Sequence, residues 1–242
     1  IVYSINNIHI YMDRYLFLCI YKMIIIKGDI HEEIKLIDDN SIDMIYTDPP
    51  FATTENKWDK PLRWLELFKE MWRVLKPNGV IVLHCSMPFT YTLIEAERPK
   101  YHYVWIKEKS TNFFHAKNQP LRKQEEVLVF YKKKPTYNPQ MVGDDYRPKS
   151  SAGSGVYYGS RGENKKRSGG HYGKYPTNVL NYKRDIDGAS TRPEELVDFF
   201  IKTYTNKDDT ILDLTCYNAL SGKRATALER HYIGVDLNPC LT

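Results

Sequence analysis

Thr47-Asp48-Pro49-Pro50-Phe51 sets a carboxylate, two imino acids and an aromatic ring directly after the apolar run Ser41 to Thr47. Neither proline can donate to a sheet ladder, so the run stops there, and the fixed φ of each ring stiffens the turn. The Asp48 carboxylate and the Pro49 carbonyl then point in set directions while Phe51 offers a ring face. Such a turn suits an exocyclic amino group on a flat heteroaromatic ring, with two acceptors for its two N–H bonds and a surface to stack on. The bland alternative is a capped turn with a packed phenylalanine, the usual meaning of an isolated Asp-Pro-Pro-Phe. Position favours the chemical reading, because loops at the carboxyl ends of strands in an open α/β sheet are where ligands bind.

A second pair of acids lies near the other end. Asp213 finishes Ile211-Leu212-Asp213, and Asp236, 23 positions later, finishes Tyr232-Ile233-Gly234-Val235-Asp236. Acids at successive strand tips flanking a helix N-terminus suit a nucleoside cofactor, since they accept from ribose hydroxyls or sit near a cationic group. A pair of strand-end helix caps fits the same residues equally well. His31 and His115 have no ligand-spaced partners, so no metal site is expected.

These residues require a frame of alternating strands and helices. Met23 to Asp29 reads as a buried strand ending at a Gly turn, His31 to Ile37 as a short helix, and Ser41 to Thr47 as the strand before the prolines. Leu62 to Leu75 has helical apolar spacing ended by Lys76-Pro77-Asn78-Gly79, and Val80 to His84 follows as a buried strand. Trp64, Phe68 and Trp72 fall on the core side of that helix. Tyr101 to Ile106 and Val127 to Tyr131 lack a helical pattern between them, which predicts an antiparallel pair. After an interruption come a helix at Pro193 to Tyr204, a strand at Thr210 to Leu214, a helix near Ser221 to Arg230 and a strand at Tyr232 to Leu237. This alternation predicts an open α/β sheet covered by helices.

The interruption, residues 137–188, holds nine of the thirteen glycines, interleaved with tyrosines and basic residues, and no regular element is predicted in it. From Lys132 to Arg184 there are twelve Lys or Arg against three acids, a local charge of +9. The whole 242-residue chain carries +5, so the remainder carries −4. An acidic body with one basic stretch is how a protein that docks a polyanion is often built, although a solvated loop shows the same composition. Four scattered cysteines without a Cys-x-x-Cys pair argue against a disulfide scaffold or zinc ribbon and point to a reducing, cytoplasmic setting. The longest apolar run, Tyr15 to Tyr21, is far below membrane-spanning length. The first 22 residues lack an initiator Met and the marks of a secretory signal, so the natural start is expected at Met23, with residues 1–22 a non-native extension.

Taken in order, Gly28-Asp29, Ser41 to Phe51, Asn56-Lys57-Trp58-Asp59, Leu75 to Gly79, and Ala116-Lys117 through Val129 to Gln140 resemble the amino-methylating (N6-adenine or N4-cytosine) DNA methyltransferases. The arrangement is similar to their β group, in a phage-like form with Asp-Pro-Pro-Phe, in which the catalytic motif precedes the cofactor motif. The resemblance covers most of the chain from Met23 and implies a Rossmann-like S-adenosylmethionine-dependent methyltransferase sheet, mostly parallel with an antiparallel strand. It divides the chain into a catalytic half at 23–136, a basic target-recognition insert at 137–188 and a cofactor-binding half at 189–242. It implies a catalytic set of Asp48, Pro49, Pro50 and Phe51, the last stacking on a base flipped from double-stranded DNA. Asp29, Thr215, Asp213 and Asp236 would be cofactor residues, with Ser190, Arg192 and Pro193 resembling the family's Thr-x-Lys-Pro segment. Lys165, Lys166, Arg167 and Lys174 would meet DNA phosphates. Adenine N6 is the expected target, in a restriction-modification setting; cytosine N4 and a methyltransferase-like protein that only binds DNA are the alternatives.

One stretch departs from the family. Where a glycine-rich loop is usual, this chain reads Asp213-Leu214-Thr215-Cys216-Tyr217-Asn218-Ala219-Leu220-Ser221-Gly222. Tyr217 and Ala219 stand in place of two glycines whose value is close approach and unusual φ. Ala219 is a mild change if its φ is negative. Tyr217 adds a large side chain where the methionine part of the cofactor should pass. Either the loop takes another path, with Asn218 left-handed, or cofactor binding is weakened.

Overall fold

A computed structural model of the chain describes residues 2–5, 8–11, 22–148, 170–183 and 192–240. The described residues fall into two compact units. One comprises Ile1–Asn138 with Asn178–Thr242, and the other is Pro139–Thr177.

In the larger unit β1 (Val2–Ile5) and β2 (Ile8–Tyr11) form an antiparallel ribbon. β3 (Met23–Lys27), β4 (Ile42–Thr47), β5 (Leu75–Cys85), β6 (Tyr101–Thr111), β7 (Arg122–Phe130), β10 (Val179–Leu180), β11 (Thr210–Asp213) and β12 (His231–Asp236) build one sheet, ordered β10-β6-β7-β5-β4-β11-β12-β3. β7 pairs antiparallel with both β5 and β6, and every other pairing in the sheet is parallel. The mostly parallel sheet with one reversed strand is the architecture the motif order implied.

The strands read as near-continuous apolar runs because both faces are covered. On one face α1 (Ile30–Glu33), α2 (Trp64–Val74) and α3 (Phe89–Ala96) pack over Ile45, Ile81, Leu83 and Leu212. α2 does so with Trp64, Leu67, Phe68, Met71 and Val74, a helical stripe that is fully buried. Each large side chain of that stripe contributes about 1.5–3 kcal/mol. On the other face α4 (Glu194–Tyr204) and α5 (Leu220–Ala227) pack over Met44, Tyr46, Val82 and Ile211. The chain leaves β4 toward one face and β11 toward the other, so the two neighbouring strand tips border a switch-point crevice, the ligand-binding place of open α/β sheets.

Several features differ from the sequence expectations, among them β10 inside 137–188 and the start of β5 at Leu75, ahead of the expected turn. α3 is an additional helix, concealed because Phe89-Thr90-Tyr91-Thr92 is a strand-like composition. β6 extends to Thr111, beyond the expected Ile106. The smaller unit contains a hairpin of β8 (Val142–Pro148) and β9 (Gly170–Lys174), inside the stretch where no element was expected. Its partners are far apart in sequence and its register shifts between Val142 and Tyr146, so no uninterrupted alternation advertises it. Tyr146 and Tyr172 meet edge to face across the hairpin with centroids 5.4 Å apart, and both are exposed.

Candidate active site

The Asp-Pro-Pro-Phe turn follows β4 directly, in the centre of the sheet. Asp48 is partly open, its side chain 34% exposed, and Arg192 Nη2 donates to its Oδ1 at 2.5 Å. Oδ2 has no hydrogen-bond partner among the described residues. The Asp48 carbonyl accepts from Thr215 Oγ1 at 3.3 Å, and Thr215 Oγ1 lies 3.0 Å from Thr47 Oγ1, so hydroxyls tie the β4 tip to the loop after β11. Pro49 is buried and Pro50 half-buried.

Phe51 is held from one side. Its ring stacks on Phe89 of α3 at 5.1 Å and 18°, and Phe89 in turn contacts Trp64 of α2. Beyond it the chain curls around Asp59. That carboxylate accepts from the Ala52, Thr53 and Thr54 amides at 2.6, 2.9 and 2.7 Å and from Thr54 Oγ1 at 2.7 Å. Ala52 is left-handed, with φ 53°, a conformation the Asp59 clamp maintains. Burial alone would raise the Asp59 carboxyl, but the Thr54 hydroxyl and the three amides outweigh it and hold it below the usual range.

Behind Asp48 lies a polar cluster that sequence spacing does not reveal. The Arg192 guanidinium also forms an ion pair with Glu125 of β7 and lies over the Trp105 ring of β6, 5.3 Å from its centroid. Glu125 accepts from Lys107 Nζ at 2.9 Å. Burial tends to lower the Arg192 pKa, but Asp48 and Glu125 more than reverse this and raise it. On the neighbouring strands the Tyr46 hydroxyl meets His84 Nε2 at 2.8 Å. Burial, then the nearby Arg192 charge, push His84 well below the usual imidazole range, so it is neutral at pH 7. His84 and Cys85 are buried at the end of β5.

Asp213 and Asp236 occupy different environments. Asp213 is buried and takes Ser221 Oγ at 2.5 Å, Tyr232 Oη at 3.1 Å and the Thr215 amide at 3.1 Å. Burial raises its carboxyl to about 6 against the opposing pull of these donors. Asp236 is half-buried, and its two oxygens accept from the Tyr217 amide at 2.9 Å and the Asn238 amide at 2.8 Å. Asp29 is exposed and caps α1, accepting from the His31 amide at 2.9 Å. The Gly28 amide donates to the Asp236 carbonyl at 3.0 Å, which brings these two strand ends together.

The loop between Asp213 and α5 keeps a glycine-type path without the glycines. Tyr217 has φ 42° and Ala219 φ 53°, so both take the left-handed conformation and Asn218 does not. Ala219 is a mild change only if its φ is negative, a condition that is not met, and the left-handed residues of the loop are Tyr217 and Ala219, whereas one of the two alternatives had placed that conformation at Asn218. Backbone hydrogen bonds hold this path: the Cys216 amide donates to the Val235 carbonyl at 2.9 Å, the Tyr217 amide to Asp236 at 2.9 Å and the Ala219 amide to the Cys216 carbonyl at 2.7 Å, while the missing Cβ of Gly234 lets Cys216 pack close against β12. The Tyr217 side chain is 59% exposed.

Of the remaining expected residues, Pro193 is buried at the N-cap of α4 and Lys174 is exposed on β9. Ser190, Lys165, Lys166 and Arg167 lie outside the described residues. Among the described residues no helix is long and apolar enough to cross a membrane, and no group of three His, Cys, Asp or Glu side chains is placed to hold a metal.

The sheet order, the reversed strand and the paired tips at its switch point define a methyltransferase fold of the S-adenosylmethionine-dependent class. The DNA methylase family N6_N4_Mtase matches residues 42–241, and the chain belongs to that family. The Haemophilus parainfluenzae type II methyltransferase M.HpaI is 28% identical over 229 residues, covering 85% of this chain and 67% of the relative. The Bacillus subtilis type II methyltransferase M.BglII is 25% identical, covering 88% and 65%. The Escherichia coli DNA adenine methyltransferase YhdJ is 28% identical, covering 88% and 78%. This chain therefore spans about two thirds of the length of the two type II enzymes. Among solved structures, the cytosine-N4-specific PvuII DNA methyltransferase superposes with a TM-score of 0.62 at 16% identity, covering 90% of this chain and 83% of that one. The M1.HpyAVI–SAM complex superposes with a TM-score of 0.57 at 21% identity, covering 88% and 92%.

Proposed function

We propose that the protein methylates the exocyclic N6 of adenine in double-stranded DNA, using S-adenosylmethionine. The observation that carries this reading is Asp48: a carboxylate at the central strand tip, fixed through Oδ1 by Arg192, with Oδ2 left to accept. The residues around the crevice fit the cofactor. Asp29 and Asp236, on adjoining strand ends, are acceptors suited to ribose hydroxyls, and Asp213 and Thr215 hold the loop beside them. When bound, that cofactor supplies an electrophilic methyl group. Asp48 Oδ2 and the Pro49 carbonyl accept the two amino N–H bonds of a flipped adenine, which orients the nitrogen lone pair. Positive charge that develops on this nitrogen is stabilised by the Asp48 carboxylate, held ready before the base arrives. Phe51, backed by Phe89, stacks on the base. Lys174 and the basic residues 165–167 contact phosphates, and the insert they belong to selects the target.

Adenine rather than cytosine is supported by the aspartate that opens the motif and by the similarity to YhdJ, an adenine enzyme. Digestion of DNA from expressing cells and measurement of its modified bases tests the choice. N6-methyladenine is expected, and N4-methylcytosine in its absence overturns it. Asp48→Ala should lower kcat by roughly 10²–10³-fold; an unchanged rate refutes the catalytic assignment. A second reading, a DNA-binding protein that no longer methylates, draws on the strained Tyr217 and Ala219 positions. Calorimetric titration with S-adenosylmethionine separates the two, since only the first requires binding.

A further inference from the structure

We propose that Lys107, Glu125 and Arg192 are positioning residues that set the orientation of the Asp48 carboxylate, a role that rests on the methyltransferase reading above. The four side chains alternate in charge, Lys107 to Glu125 at 2.9 Å, Glu125 to Arg192 in an ion pair, and Arg192 to Asp48 at 2.5 Å. Their exposure rises toward the crevice. Lys107 is 4% exposed, Glu125 11% and Arg192 15%, while Asp48 reaches 34%. The last member of the chain is the most open to a ligand.

Burying such a chain for stability alone is a poor use of charge, because desolvation offsets the attraction and apolar replacements are commonly as stable. The arrangement does what an apolar cluster cannot. The guanidinium is planar and forked, so one Nη faces Asp48 and the other faces Glu125 while the plane lies over Trp105. Trp105 is itself fixed, its Nε1 donating to the Tyr182 carbonyl at 3.0 Å. Lys107 is pinned by Thr111 Oγ1 at 3.1 Å as well as by Glu125. Each group thus removes a freedom from the next, and the sequence ends at Asp48 Oδ1. Lys107, Glu125 and Arg192 together leave one positive charge behind Asp48, which the Asp48 carboxylate balances. A lysine at position 192 would carry the same charge but could not span both carboxylates or stack as a plane.

The test uses the full chain, unmethylated double-stranded DNA and tritiated S-adenosylmethionine. Glu125→Gln with Lys107→Met removes the inner pair together while Arg192 keeps Asp48 as its partner, so no charge is left buried and unpaired, and this double variant is expected to fold with a melting temperature within a few degrees of wild type. With the guanidinium loose, kcat should fall at least about tenfold while the KM for DNA and the cofactor dissociation constant stay within about twofold of wild type. A structural role alone would move the melting temperature and leave kcat. A folded double variant with kcat within about twofold of wild type overturns the inference and leaves the methyltransferase reading intact. If that variant does not fold, Glu125→Gln alone decides by the same criteria. Wild-type protein that binds the cofactor but transfers no methyl group to DNA overturns the proposed function, and this inference falls with it.

Discussion

Replacing Asp213 by asparagine should change the stability of the protein by an amount that depends on pH in a defined direction. The carboxyl is buried and its pKa is raised to about 6, against roughly 3.9 in an unfolded chain. A raised carboxyl binds its proton more tightly in the folded state, so stability from this group grows as pH falls from above 6 toward 4 and is absent at pH 8. At pH 5 about nine-tenths of the folded molecules and under a tenth of the unfolded ones carry the proton. Between pH 8 and pH 5 this amounts to roughly a tenfold change in the folded-to-unfolded ratio, on the order of 1 kcal/mol. The asparagine side chain cannot titrate, yet it can satisfy the same partners. Its oxygen can face the Thr215 amide, and its amide nitrogen can face Ser221 Oγ and Tyr232 Oη, hydroxyls that rotate to accept. Urea unfolding of both proteins at pH 5 and pH 8 gives the comparison, because the buried His84 titrates in each and cancels in the difference. The variant should gain on the order of 1 kcal/mol on wild type in going from pH 5 to pH 8. A difference that does not vary with pH refutes the raised pKa. A difference of opposite sign shows that the three donors, and not burial, dominate at Asp213.

Two further outcomes follow from the loops. Tyr217→Gly should stabilise the protein by about 0.5–1 kcal/mol, since relief of the left-handed strain at φ 42° exceeds the added chain entropy and little packing is lost from a side chain 59% exposed. Thermal unfolding should show a rise of about 1–4 °C, while Tyr217→Val should lower it. Asp59→Asn should destabilise by roughly 1–3 kcal/mol, because an amide nitrogen would face backbone donors at 52–54. The wild-type contribution of Asp59, whose folded pKa is depressed, is present above about pH 4 and is lost as pH falls through the folded value, so acid unfolding curves of the two proteins should converge at low pH.

How much of this was legible in the sequence depended on whether the relevant contacts are local. Asp48, Pro49, Pro50 and Phe51 are contiguous, and a strand that must stop at two prolines places them without knowledge of the rest. Thr210 to Asp213 and His231 to Asp236 show as apolar runs with acids at their ends, and α4 shows as a helical stripe, so the sheet's parallel half could be read directly. What supports Asp48 could not be read this way. Lys107 and Glu125 stand on different strands, and they meet only because β6 and β7 pair antiparallel with Trp105 opposite Glu125. Arg192 reaches Glu125 from 67 residues further along the chain, and its family-like position before Pro193 suggested a cofactor contact without signalling this ion pair. Phe89 was hidden for another reason: its helix has strand-like composition, and its partner Phe51 lies across the turn. The same distinction explains the Tyr217 loop. Sequence showed that two glycines were missing, but not that the loop is tied to a different strand, with the Cys216 amide on the Val235 carbonyl and the Tyr217 amide on Asp236. The loop therefore kept its left-handed turns and accepted the strain, and the large side chain was left largely in solvent. A substitution at a glycine position thus need not redirect the backbone when an adjacent strand dictates the path, and its cost then appears as stability, where Tyr217→Gly can measure it.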